Sequence, residues 1–187
     1  MKTALLIIDV QVAIVAGAYR EAEVLAAIAS LADRARAASA PVIYLQHCHD
    51  RYEPMMKGAA GWMIHLDVAP QPDDLIIEKT TSDGFYKTGL LDEIDQLGVG
   101  RLVICGLQTE FCVDTTARAA ISHGFDVVLA SDAHTTGDAV TSAETTIRHH
   151  NYALGNLAHP DRRIVIAPSD QIEFAPARDG GPVSNRL

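Results

Sequence analysis

Cysteine is scarce: Cys48, Cys105 and Cys112 are the only three in 187 residues. An odd number this widely spread excludes a disulfide framework and points to a reducing, cytoplasmic setting. Basic residues are also short, with 15 Lys and Arg against 24 Asp and Glu, a net charge of -9. That balance repels a phosphate backbone or an anionic bilayer, so neither nucleic acid nor membrane is expected as a partner. No apolar run reaches the roughly 18 residues of a membrane span. The opening MKTALLIIDV meets Asp9 before it attains the length of a signal-peptide core. Internal repeats and low-complexity linkers are lacking too.

What is present is apolar mass: 48% hydrophobic residues against 21% charged, in a length that suits one domain of about 150 residues. One domain is expected over 1–175. The polar PARDGGPVSNRL tail, 176–187, is expected to be mobile or to lie at an interface. Short apolar runs at 4–8, 42–45, 75–77, 102–105, 127–130 and 164–166 read as strands buried on both faces. Between them, 20–38, 88–96, 113–123 and 139–154 have helical composition. The alternation predicts an α/β domain, a parallel sheet between two helical layers. Residues 48–73 mix Gly, Pro, Met, Trp and His without a period and read as a long functional loop.

Open parallel sheets bind ligands beyond the carboxyl ends of their strands. That rule gathers Asp9, His47 and His49, Lys79, the segment Gly106 to Cys112, and Asp132 with His134 onto one rim. Cys112 follows a strand and a short GLQTEF loop at the start of a helix, where the dipole and free N–H groups favour a thiolate. Cys105, inside its apolar strand, reads as a small buried hydrophobe. Asp9 breaks an apolar strand, and a carboxylate is costly to bury without a partner or a task. Alone, it is equally well a turn former, and Lys79 a solvated strand end.

The stretches LLIIDVQ and EKTTSDGFYKTGLLDEIDQLGVGRLVICGLQTEFCVDTTARAAISHGFDVVLASDAHTT, in this order, resemble the isochorismatase-like cysteine hydrolases. That family includes nicotinamidases and carbamoyl-amidohydrolases. The resemblance implies a six-stranded, Rossmann-like sheet ordered 3-2-1-4-5-6. It implies a catalytic triad of Asp9, Lys79 and Cys112 that hydrolyses a C–N bond of a small amide, ureido or carbamoyl substrate through a thioester. It also implies a cis peptide at Leu107-Gln108 and an oxyanion hole formed by the backbone N–H groups of Gln108 and Cys112. A homodimer or higher homo-oligomer is expected, as is common in the family.

Nicotinamidases of this family bind a metal through an Asp-x-His pair and a further histidine after the second strand. Here the corresponding residues are His47, Cys48, His49, Asp50 and, later, His65, in a different order. No metal and no other cofactor is therefore expected. Gln11, Gln46, Trp62, Phe85, Tyr86 and His134 are the candidate substrate-binding residues, while His149 and His150 read as a solvated helix face. Two rivals stand beside amide hydrolysis: acid-catalysed vinyl-ether hydrolysis of the isochorismatase type, and a metabolite-binding or thiol-redox protein. Cys112 speaks against the first, and the absence of a CxxC partner against the second.

Overall fold

The computed structural model describes residues 1–174. The tail 176–187 lies outside the described residues. Six strands form one parallel sheet in the order β3-β2-β1-β4-β5-β6. They are β1 (Lys2–Ile8), β2 (Val42–His47), β3 (Leu75–Lys79), β4 (Val99–Leu107), β5 (Asp126–Thr135) and β6 (Ile164–Ala167). The helices are α1 (Val12–Val15), α2 (Glu21–Ala37), α3 (Leu90–Gln96), α4 (Asp114–Ser122) and α5 (Ala143–Gly155). The α/β/α architecture and strand order are those the sequence led us to expect.

Successive strand residues point to opposite faces, and β1 shows the consequence. Leu6 and Ile8 join Ile104 beneath α3 and α4, contributed by Leu90, Ile94, Ala117 and Ile121. Leu5 and Ile7 join Val103 and Cys105 beneath α2, contributed by Leu25, Ile28, Leu31 and Ala35. A strand apolar on both faces needs helices on both sides, and β1 sits at the centre with β2 and β4 as neighbours.

The edges depart from that reading. β3 alternates half-buried and exposed residues, and β6 is buried only at Ile164, because each strand has a single neighbour and incomplete helical cover. β5 runs past Ala130 to Thr135, so Asp132 and His134 lie within the strand and not after it. The register with β4 shifts between Ile104 and Gly106, which lets the strand continue through polar residues. The expected helix at 113–123 is α4 preceded by a five-residue π-turn, Thr109–Val113. The expected helix at 139–154 starts at Ala143, where the Ser142 side chain caps the Thr145 N–H. The loop 48–73 is built from three short 3-10 turns, Glu53–Met55, Ala60–Trp62 and Leu66–Val68.

Candidate active site

Asp9 leaves the end of β1 with φ 50°, a left-handed conformation uncommon outside glycine. Its N–H donates to the Leu45 carbonyl at 2.9 Å, so the side chain is fixed at the seam between β1 and β2. Beside it, Gly106 has φ 119°, and a Cβ there would lie 2.0 Å from the Ile8 carbonyl oxygen. Only glycine lets β4 approach this closely while turning into the segment that carries Cys112. The Leu107-Gln108 peptide is cis, as the family resemblance implies.

Lys79 ends β3 opposite His47 of β2. Its side chain crosses beneath β2 to Asp9, placing Nζ 2.6 Å from Oδ2, with both side chains at most 1% exposed. Nζ also lies 3.0 Å from the Thr81 carbonyl, 3.2 Å from Cys112 Sγ and 3.2 Å from His47 Nδ1. Cys112 Sγ and an Asp9 carboxylate oxygen lie within 4.8 Å of each other. Three residues remote in sequence thus meet around one ammonium. Asp9 and Lys79 are sealed, whereas Cys112 and His47 are half-buried and reach the surface of the site.

Burial pushes the Asp9 carboxyl above its ordinary range, against the opposing pull of Lys79. Cys112 is pushed up to about 11, first by burial and then by the Asp9 charge, with Lys79 acting the other way. This corrects the expectation of a thiolate favoured by a helix start. Cys112 sits in the π-turn, and desolvation beside a carboxylate outweighs the helix. Cys105 is raised further by complete burial, as its place in the core requires. His47 is lowered to about 4 by burial, by Lys79 and by His49, so it is neutral near pH 7.

Most of the candidate substrate-binding residues are occupied elsewhere. Gln11 is fully buried; its amide donates to the His47 and Trp62 carbonyls and accepts the His47 N–H. Gln46 donates to the same Trp62 carbonyl at 3.0 Å. The two glutamines tie the 48–73 loop to the strand ends, and Gln11 presents no free amide to a substrate. Trp62 is half-buried, with its indole N–H 3.2 Å from Cys48 Sγ. Phe85 is a core residue stacked on Phe125, whereas Tyr86 is exposed under the Lys87 ammonium. His134 is buried between Thr109 Oγ1 and Asn151 Oδ1, each at 2.9 Å. It braces the Thr109–Val113 turn from behind. Asp132 accepts from the Ser169 backbone and hydroxyl, pinning β5 to the turn after β6. His150 is no solvated residue: it is half-buried, and Nδ1 lies 3.1 Å from Asp114.

The loop histidines do not converge as a metal site. His49 Nδ1 accepts the N–H groups of Arg51 and Tyr52, and His65 Nδ1 accepts that of Asp67. Among the described residues, only Asp9, His47 and Cys112 bring three candidate donor atoms within 4.8 Å of one another. The Lys79 ammonium lies within 3.2 Å of an atom of each, so a cation already serves them. The residues implied for a metal therefore do not fit one. Sequence reasoning missed the Thr81 carbonyl, which residue type cannot reveal, and the Thr109–Asn151 brace, whose members look like ordinary polar helix and turn residues.

No helix among the described residues is long and apolar enough to cross a membrane. The Isochorismatase domain family matches residues 3–161. A streptothricin hydrolase from Streptomyces noursei is 37% identical over 185 residues, covering 93% of this chain and 67% of the relative. A ureidoacrylate amidohydrolase from Stutzerimonas stutzeri is 29% identical over 176 residues, 73% of this chain and 71% of that protein. Among solved structures, an isochorismatase family protein superposes with a TM-score of 0.76 at 31% identity, covering 87% of this chain and 97% of its own. With the motif blocks, the sheet order and these relatives in agreement, the chain belongs to the isochorismatase family of hydrolases.

Proposed function

We propose that this hydrolase cleaves a C–N bond of a small amide, ureido or carbamoyl substrate, with Asp9, Lys79 and Cys112 as its catalytic triad. The single observation that carries the reading is the sealed Asp9–Lys79 ion pair, with Cys112 Sγ 3.2 Å from its ammonium. Burying two charges costs several kcal/mol per ion before pairing offsets it, so such a pair at a strand-end rim marks a site with a chemical task.

A carbonyl carbon approaching Sγ triggers proton transfer from the thiol to Asp9, and the sulfur attacks as the S–H bond breaks. The raised Asp9 carboxyl suits this step, because burial makes it a stronger base than an ordinary carboxylate. The Gln108 and Cys112 backbone N–H groups receive the oxyanion. Collapse expels the nitrogen, which takes the proton from Asp9, leaving a thioester. Water then attacks with Asp9 again as base, the C–S bond breaks, and the thiol regains its proton. Lys79 holds its charge throughout and stabilises whichever of Asp9 and Cys112 is anionic.

The test is turnover of a panel comprising streptothricin, ureidoacrylate, simple primary amides and N-carbamoyl amino acids. Product is followed as the added mass of water or as released ammonia. At least one member should turn over in the wild type and none in Cys112→Ala. A Cys112→Ala variant with wild-type turnover would overturn the thioester route.

A further inference from the structure

The Lys79 ammonium has three hydrogens and four acceptors in reach: Asp9 Oδ2 at 2.6 Å, the Thr81 carbonyl at 3.0 Å, and His47 Nδ1 and Cys112 Sγ both at 3.2 Å. The two short contacts take two hydrogens. The third is contested between an imidazole nitrogen and a sulfur at equal distance.

We infer that His47 is a positioning residue that holds this third hydrogen while Cys112 is a thiol and yields it to the sulfur when the thiolate forms. A neutral thiol is a weak acceptor and an imidazole nitrogen a good one, so in the resting site the hydrogen stays on His47. Once the thiol proton has moved to Asp9, the sulfur carries a full charge and a charge-assisted bond to it outcompetes the neutral one. No proton leaves Lys79 in this exchange; one N–H swings from Nδ1 to Sγ. His47 keeps its own proton on Nε2, since Nδ1 is the acceptor.

The groups facing His47 agree with that role. Lys79 comes from β3, Asp9 from the end of β1 and Cys112 from the π-turn. His49 lies in its own loop, with ring centroids 6.5 Å apart. A second cation among them is disfavoured, and His47 is held neutral down to about pH 4. The consequence is a thiol that stays protonated between turnovers, although it sits within reach of an ammonium.

The second half of this exchange rests on the proposed thioester route, but its test does not. Cys112 alkylation by iodoacetamide is measured against pH by peptide mass mapping. His47→Leu removes the acceptor, leaving the sulfur as sole claimant of the third hydrogen. The alkylation midpoint should then fall by about one pH unit, the scale of one charge-assisted hydrogen bond. His47→Asn places an amide oxygen near the position of Nδ1 and should restore the wild-type midpoint. His47→Gln reaches the Nε2 position instead and should behave like His47→Leu. An unchanged or raised midpoint in His47→Leu overturns the inference, as does restoration by Gln and not by Asn. A parallel rise in Cys48 alkylation also overturns it, because that would report a loosened loop. If His47→Leu does not fold, the Asn and Gln pair decides alone. Turnover by Cys112→Ala would sink the proposed function and leave the midpoint result standing.

Discussion

The Thr109–Val113 turn takes part in two polar clusters, through Cys112 in one and Thr109 in the other. Behind the turn, His134 sits between Thr109 Oγ1 and Asn151 Oδ1, and Asn151 donates to the Ser131 carbonyl. Every group there is neutral, with one partner for each hydrogen-bonding atom named. In front, Asp9, Lys79, His47 and Cys112 include two full charges, and four acceptors contend for three ammonium hydrogens. Both clusters join buried groups to half-buried ones and both contain a histidine lowered to about 4, so neither burial nor a shifted histidine separates them. The hydrogen-bond count does. A saturated neutral network has one arrangement and holds a backbone in place, whereas a surplus of acceptors around a charge leaves a second arrangement to adopt.

The largest expected effect lies in the unsaturated cluster. Asp9→Asn keeps an acceptor oxygen for Lys79 but removes the base. Turnover should fall at least about a hundredfold, the lower end of what positioned proton transfer contributes, with circular dichroism unchanged. Cys112→Ala should abolish turnover, and the double variant should lose little beyond Cys112→Ala, because the two groups act as a unit. Losses that simply multiply would break the comparison, since they would mean that the front cluster is a set of independent contacts.

The saturated cluster should fail differently. His134 is fully buried and its folded pKa, about 4, lies below the ordinary 6.5, so the unfolded chain binds the proton more readily. Its contribution is therefore complete above about pH 6.5 and is lost as pH falls toward 4, about 3 kcal/mol over that window. Denaturant melts at pH 7 and pH 4 should show that loss in the wild type beside a further one from His47, which is lowered to the same value, and His134→Gln should remove the His134 share alone. Turnover per folded molecule at pH 7 should stay within a few-fold in His134→Gln. A loss like that of Asp9→Asn would place His134 in the chemistry and erase the distinction.

The sequence carried the apolar half of this picture well. The runs 4–8 and 102–105 alternate between two covered faces, so the strand positions and a sheet covered on both sides follow from hydrophobicity alone. The strand order came from the family resemblance. The same resemblance named Asp9, Lys79 and Cys112, which strand-end logic had already brought to one rim. Polar residues that satisfy backbone groups stayed illegible. Gln11 and Gln46 look like substrate amides until the Trp62 carbonyl is seen to accept from both. β5 continues through SDAHT because a register shift and local partners accommodate its polar residues, and no periodicity announces that. The raised pKa of Cys112 was hidden for a related reason: burial and the nearness of Asp9 belong to the assembled site, not to the helix that follows.

The smallest expected effect concerns the histidines after β2, which extend the comparison to the loop. His49 and His65 resemble His134 more than His47, because each has Nδ1 occupied by backbone N–H groups of its own turn. A donor nitrogen already holding a turn is not free to take a metal without undoing that turn, and Asp50 is exposed away from any third donor. Turnover should therefore be unchanged after dialysis against EDTA, and unchanged again when zinc, iron or manganese is returned. Thermal melts recorded alongside should also coincide, since a structural ion would stabilise the folded state it binds. Loss of activity with recovery by one particular metal would show that the loop rearranges to bring these histidines together. It would move His47 out of the ammonium's shell and into the coordination sphere of an ion.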